Sequence, residues 1–270
     1  MSPERLLVFQ HLDVEHPGLF REFFAEDGIR WDVVELDAGE RIPDLDAYDA
    51  LWAMGGPMDV WEEEAYPWLV EEKAAIRYAV VEKKMPFVGI CLGHQLLASA
   101  LGGHVGPNER PEVGVMDICL TAPGMASGFF SGFPATLPCL QWHSSAVKTV
   151  PDGLEVLASS GLCAVQALSI GNHAITVQFH IEITAETIAE WDAVPAYHDA
   201  LLETLGEGVM HDFERAVAEH LDVFRGYARA FYENWKRMAF GSNPQALSGG
   251  PHPGPTSARD ARGEQPGQEW

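Results

Sequence analysis

Basic residues are scarce in this sequence. Its 40 aspartates and glutamates face only 17 lysines and arginines, a formal charge of −23 over 270 residues. That balance argues against nucleic acid or an anionic membrane as a partner, because both are held by basic patches. Cysteine is also sparse. Cys91, Cys119, Cys139 and Cys163 are widely separated and form no CxxC pair, so a finger-type zinc site is not expected. No stretch approaches the roughly 20 apolar residues of a membrane span, and Leu6–Phe9 is too short for the apolar region of a secretion signal. The expectation is a cytoplasmic protein with reduced thiols. No internal repeat is present. Apolar residues nevertheless make up 47% of the chain, enough for a sizeable core and too many for global disorder.

The first hundred residues alternate short apolar runs with helical periodicity. Strands are expected at Leu6–Gln10, Trp31–Leu36, Ala50–Met54 and Pro86–Ile90. Helices are expected at Pro17–Glu26, Pro67–Lys84 and Leu92–Leu101, the last stopped by Gly102-Gly103. Such alternation implies an α/β fold with a mostly parallel central sheet flanked by helices. Further strands are expected at Val113–Leu120, Leu154–Ser159, Ala164–Leu168 and Ala174–Phe179, the last two as a hairpin across Gly171-Asn172. Helical patterning returns from Ala185 to about Phe240, with an amphipathic stretch from Phe213 that would cover the domain surface. One domain is expected over 1–240, with a core of about 5–195 and a helical extension over 196–240. Residues 241–270, rich in Gly, Pro, Ser and charge, read as a flexible tail.

The segment Gly89-Ile-Cys91-Leu-Gly93 carries the clearest chemistry. It lies between an expected buried strand and an expected helix, the arrangement of a nucleophile elbow with a thiol in place of a hydroxyl. A nucleophile raised on so sharp a turn needs glycines two residues to either side to avoid clashes. A helix N-terminus also favours thiolate, and the Leu92 N–H would point to where an oxyanion forms. A lone free cysteine is commonly an inert core residue, and the other three are read that way; the strand-turn-helix context sets Cys91 apart.

His180-Ile-Glu182 supplies a partner. Residues two apart on a strand share a face, so Glu182 can orient His180 and stabilise its protonated form while the imidazole takes the thiol proton. His-x-Glu also occurs in zinc deaminases, where Pro-Cys-x-x-Cys follows. Here Pro138-Cys139 lies upstream and is followed at that spacing by Trp142, so the deaminase pattern fails. Cys91-x-x-His94 suggests a metal half-site, but no second half is evident.

Gly55-Gly56-Pro57, Gly89-Ile-Cys91-Leu-Gly-His-Gln95 and Gln178-Phe-His180-Ile-Glu182 together resemble, in order and spacing, the class I (triad-type) glutamine amidotransferases. The resemblance spans roughly residues 5–195 and is nearest to stand-alone proteins similar to the glutaminase domain of GMP synthase. It implies a flavodoxin-like fold and attack by Cys91 on the amide carbon of glutamine to give a γ-glutamyl thioester. It also implies His180 as base and then acid, Glu182 as its orienter, an oxyanion hole from the N–H groups of Gly56 and Leu92, and Gln95 among the substrate contacts. No cofactor is implied.

Two positions depart from the family pattern. Ile181 stands where many members have proline, which leaves the His-x-Glu spacing intact. In Gln141-Trp-His143-Ser-Ser145, read as a substrate-contacting loop, Ser145 stands where relatives often carry aspartate. Serine brings no charge to meet an α-ammonium group, so γ-glutamyl chemistry is better indicated than glutamine itself. His143 reads as a substrate-side or loop-ordering residue. Neither a Walker-type loop nor a Ser-Gly-Gly-x-Asp-Ser-like pyrophosphatase loop is present. The leading expectation is a glutaminase that passes ammonia to a separate synthetase subunit. The alternatives are a γ-glutamyl peptidase acting on larger compounds and a non-catalytic binding relative.

Overall fold

The computed structural model describes residues 5–241; the expected tail, from residue 242 onward, lies outside the described residues. Nine strands form one sheet in the order β2-β1-β3-β4-β9-β8-β7-β5-β6. They are β1 (Arg5–Gln10), β2 (Arg30–Glu35), β3 (Ala50–Ala53), β4 (Phe87–Ile90), β5 (His104–Leu120), β6 (Thr136–Thr149), β7 (Glu155–Ser159), β8 (Ala167–Ile170) and β9 (Ala174–Val177). The helices are α1 (Phe20–Glu26), α2 (Trp68–Arg77), α3 (Leu92–Ala100), α4 (Ala122–Ala126), α5 (Thr187–Asp192), α6 (Pro195–Leu205), α7 (Met210–Ala218) and α8 (Leu221–Phe240).

The sheet is mixed. From β2 to β9 every pairing is parallel, and from β9 to β6 every pairing is antiparallel. The parallel half is covered on both faces. Leu6 and Val8 of β1 enter one core with Phe20, Phe23 and Phe24, while Leu7 and Phe9 enter the other with Leu69, Ile76 and Leu96. This explains why β1, β3 and β4 read as unbroken apolar runs.

Helix α8 covers the first face through a stripe of Ala228, Phe231, Tyr232 and Trp235, spaced as one helix side requires. Trp235 meets Trp52 edge to face with ring centroids 5.1 Å apart. Each fully buried aromatic of this size contributes about 2–3 kcal/mol through its area alone. The amphipathic stretch expected from Phe213 to Phe240 is two helices, α7 and α8. A third cluster, with Trp142, Trp191, Tyr197, Leu201, Phe213 and Val217, joins α5, α6 and α7 to the antiparallel half.

Several expected boundaries move. The first helix begins at Phe20 rather than Pro17, because Gly18 adopts a left-handed φ of 51° and breaks the turn. The strand expected at Ala164–Leu168 is β8, Ala167–Ile170, because a tight turn closed by Ser160 N–H to Cys163 O takes the intervening residues. The hairpin with β9 forms across Gly171 as expected.

The largest correction is β6. The segment Gln141–Ser145, read as a loop, is the middle of a fourteen-residue strand that pairs both with the expected part of β5 and, from His143 onward, with an unexpected N-terminal extension of it. Its inward residues Gln141, His143 and Ser145 are polar, which hides the apolar alternation, and its position at the sheet edge tolerates Pro138.

Candidate active site

Strand β4 and helix α3 meet at Cys91, whose backbone lies at φ 51°, ψ −101°. Only one other non-glycine among the described residues, Lys84, has positive φ. Such a conformation costs roughly 1–3 kcal/mol and persists only where its surroundings enforce it. Close packing around the turn enforces it here. A β-carbon on Gly93 would stand 2.1 Å from Ala53 O, and one on Gly89 would stand 2.6 Å from Gly93 O. The two glycines thus let strand and helix touch, as the sequence pattern anticipates. Cys91 N–H is fixed to Val177 O at 2.8 Å, and Gly93 N–H to Met54 O at 3.1 Å. The Leu92 N–H has no partner among the described residues, nor does that of Gly56. A β-carbon on Gly56 would lie 2.8 Å from the Leu92 side chain, so the two segments are adjacent.

The Gly55-Gly56 turn is supported from beneath by a buried pair. His11 donates from Nδ1 to Gly55 O at 2.7 Å, and its Nε2 lies 2.9 Å from Glu72 Oε1. Burial alone would push the His11 imidazole down, but the Glu72 carboxylate outweighs it and holds the ring above its ordinary value.

His180 lies just beyond β9, where a bridge to Leu140 of β6 fixes it through both backbone groups, at 2.8 and 3.3 Å. Its Nδ1 is 2.6 Å from Glu182 Oε1, and its ring packs edge-on against Trp191. The other ring nitrogen is left on the side of Cys91, whose sulfur acts on the imidazole. Burial would push this imidazole down. The Glu182 charge and hydrogen bond, together with the nearby Cys91 sulfur, hold it well above its ordinary value. Glu182 is itself locked, with Ile181 N–H donating to Oε2 at 2.9 Å and Leu19 N–H to its carbonyl at 2.6 Å. A β-carbon on Gly18 would fall 2.0 Å from that carbonyl oxygen.

Gln95, one helical turn beyond Cys91, does not present its amide nitrogen to the cavity. It donates to Ser145 O and to Gln178 Oε1, both at 3.1 Å. Gln178 in turn approaches Cys91 Sγ through Nε2 at 3.6 Å. His143 is buried and donates from Nδ1 to Ser145 O at 2.9 Å; its Nε2 stands 3.1 Å from Glu112 Oε2. Burial pushes the Glu112 carboxyl up, but the adjacent His143 ring and hydrogen bonds from Ser160 and Gln166 outweigh it and hold it below its ordinary value. His143 therefore braces β6 against β5 and reaches the cavity as part of its wall. His94 turns away from Cys91 toward Thr176 Oγ1 at 2.8 Å, and burial lowers its pKa to about 3.

The cavity around Cys91 is lined by Gly56, Leu92, Gln95, His143 and Ser145, which the sequence picks out, and by others it does not. Asp59 enters from the loop after Gly55-Gly56-Pro57, and Tyr197, Ala196 and Ala200 come from α6. Tyr197 O–H donates to the buried Glu15 Oε1. Burial raises the Glu15 carboxyl, partly offset by the nearby His180. Nothing in the local sequence around Glu15 or Tyr197 marks either residue, since tertiary packing alone brings Tyr197 to the cavity and Glu15 to Tyr197. Among the described residues, no group of three or more His, Cys, Asp and Glu is placed to hold a metal ion, and no helix is long and apolar enough to cross a membrane.

Residues 19–190 match the family model for glutamine amidotransferase class-I. Gamma-glutamyl peptidase 5 of Arabidopsis thaliana is 31% identical over 179 residues, 64% of this chain and 70% of that protein. The glutamine-hydrolyzing GMP synthase subunit of Saccharolobus solfataricus is 33% identical over 153 residues, 56% of this chain and 77% of that protein. A solved glutamine amidotransferase from Thermotoga maritima resembles the structure with a TM-score of 0.78 at 29% identity, covering 88% of this chain and 99% of that one.

Proposed function

Because the chain belongs to the class-I glutamine amidotransferase family, we propose that it hydrolyses a γ-glutamyl amide bond through a thioester on Cys91. The observation that carries this reading is the strained Cys91 turn facing a buried His180–Glu182 pair. His180 takes the thiol proton as Sγ attacks the γ-carbonyl carbon. The oxyanion that develops faces the free N–H groups of Gly56 and Leu92. His180 returns the proton to the leaving nitrogen as the C–N bond breaks. Water, deprotonated by the same imidazole, then attacks the thioester and releases glutamate and the thiol. Glu182 stabilises the imidazolium in both halves.

Two substrate classes follow from the relatives. Similarity to the glutamine-hydrolyzing GMP synthase subunit supports glutamine, with ammonia passing to a synthetase on a separate chain. Similarity to gamma-glutamyl peptidase 5 supports larger γ-glutamyl compounds, and the apolar walls formed by Pro111, Val113, Ala196 and Ala200 favour a leaving group bulkier than ammonia.

Glutamate release by the purified protein, offered glutamine and a panel of γ-glutamyl peptides with Cys91→Ala as control, separates these classes. Cys91-dependent release from glutamine supports the ammonia-supplying enzyme. Release only from larger compounds supports the peptidase. No turnover, together with failure of Cys91 to form an adduct with a glutamine-like electrophile, would favour the non-catalytic relative and overturn the proposal.

A further inference from the structure

A γ-glutamyl group differs from a simple acyl amide by the ammonium and carboxylate on its α-carbon. An enzyme that selects it over other amides needs an anion facing that ammonium. At position 145 of β6 the chain offers a serine, which carries no charge. The cavity nevertheless contains a carboxylate at that point. Ser145 Oγ donates to Asp59 Oδ1 at 2.7 Å, across 86 residues of sequence. Among the described residues that line the cavity, Asp59 is the one carboxylate, and no lysine or arginine lines it.

The carboxylate is held firmly from both sides. Its own loop is closed by Asp59 N–H to Glu62 Oε2 at 2.8 Å. The backbone of Ser145 is gripped by Gln95 and His143, at 3.1 and 2.9 Å. Gln95 sits one turn along α3 from Cys91, so anion and nucleophile are registered through one helix. Lys73, which reaches the same loop, is committed to Val60 O and to Glu63. No ion pair to Asp59 is present among the described residues. Burial pushes the Asp59 carboxyl above its ordinary value, with Glu62 adding to the rise and the Ser145 hydroxyl opposing it. A half-buried carboxylate without a cation gains when an ammonium arrives.

Resting on the γ-glutamyl reading above, we infer that Asp59, oriented by Ser145, is the residue that binds the α-ammonium group of the substrate and so selects γ-glutamyl compounds over other amides. The charge that β6 lacks at position 145 stands on the facing loop, and the serine hydroxyl aims it.

The test compares whichever of glutamine or a γ-glutamyl dipeptide the wild-type protein cleaves with the same compound lacking the α-amino group. Wild type is expected to favour the amino compound by about 100-fold in kcat/KM, the scale of one hydrogen bond to a charged group. In Asp59→Asn that ratio should collapse toward one, mainly through a higher KM for the amino compound. Ser145→Ala should give an intermediate ratio. The exchange variant carrying Asp59→Ser and Ser145→Asp should recover most of the preference, because the two side chains meet. The rate of Cys91 alkylation by iodoacetamide, equal in wild type and Asp59→Asn, shows that the nucleophile is intact. A wild-type enzyme that is active yet indifferent to the α-amino group, or an Asp59→Asn protein that keeps the preference, overturns the inference while leaving the γ-glutamyl reading standing. A wild-type protein that cleaves neither compound and leaves Cys91 unmodified by a glutamine-like electrophile overturns that reading and the inference with it.

Discussion

The two sides of the cavity are built in different ways. On the Cys91 side, five consecutive residues from Gly89 to Gly93 create the turn, and their immediate neighbours in the parallel sheet enforce it. On the opposite side, His180 is fixed by Leu140, Trp191 and Glu182, and Glu182 by Leu19, so segments far apart in the chain must arrive together. The lesson is that strain can be encoded locally, because a few glycines suffice to permit it. Orientation of a buried imidazole is encoded globally, because a low-dielectric setting for a charged ring needs walls on every side.

The sharpest test of the contrast is Cys91 itself. Cys91→Gly should abolish turnover, a loss of about 10^5-fold or more in kcat. Because glycine accepts φ 51° freely, the same change should leave the protein as stable or stabilise it by about 1–2 kcal/mol in chemical denaturation. A destabilised variant would mean that the turn is not strained. On the other side, Glu182→Gln should lower kcat by about 10^3 to 10^4-fold while KM moves little, because it removes the charge that stabilises the imidazolium.

A third comparison uses pH. His94, neutral and buried behind the nucleophile with its pKa lowered to about 3, binds a proton in the unfolded chain below about pH 6.5 but not in the native state. Native stability from this residue is therefore complete above pH 6.5 and declines as pH falls toward 3, by about 5 kcal/mol over the whole window. Denaturant titrations of wild type and His94→Gln at several pH values should show a shallower acid slope in the variant, whatever its absolute stability.

Gly93→Ala tests the local side by sterics alone. A β-carbon 2.1 Å from Ala53 O should cost about 3 kcal/mol and lower the melting temperature by several degrees. The smallest effect is expected from Tyr197→Phe. It strips the buried Glu15 carboxylate of its hydroxyl donor and should cost about 1–3 kcal/mol of stability, with less than about 10-fold change in kcat. A larger rate loss would move Tyr197 into the chemistry and weaken the contrast between the two sides.

What could be read from the sequence follows the same division. Strands β1, β3 and β4 are legible because burial on both faces makes them unbroken apolar runs cut by glycine and proline. The Cys91 turn is legible because its glycines sit at fixed offsets, and His180 and Glu182 because two residues apart on extended chain means one face. Strand β6 is hidden by its own inward polar residues. Gln141 is fully buried with neither amide atom bonded among the described residues, a pattern that composition reads as loop. Asp59, Glu15 and Tyr197 are illegible for a different reason. None stands in a recognisable local pattern; only the packing of α6 and of the Gly56–Asp59 loop brings Tyr197 and Asp59 to the cavity, and Glu15 meets Tyr197 from the segment between β1 and α1.

Helix α6 meets that cavity through Ala196 and Ala200, spaced one turn apart, while its chemistry-bearing neighbour Tyr197 faces Glu15. The room on that side of the cavity is thus bounded by Tyr197 and two methyl groups on a helix that contributes nothing to the Cys91 turn. On the proposed chemistry, leaving-group tolerance and nucleophilic attack are therefore separable traits, carried on segments a hundred or so positions apart. A lineage, or an engineer, can enlarge these two side chains to close the entrance to bulky amides, and the machinery that breaks the bond inherits no compensating change.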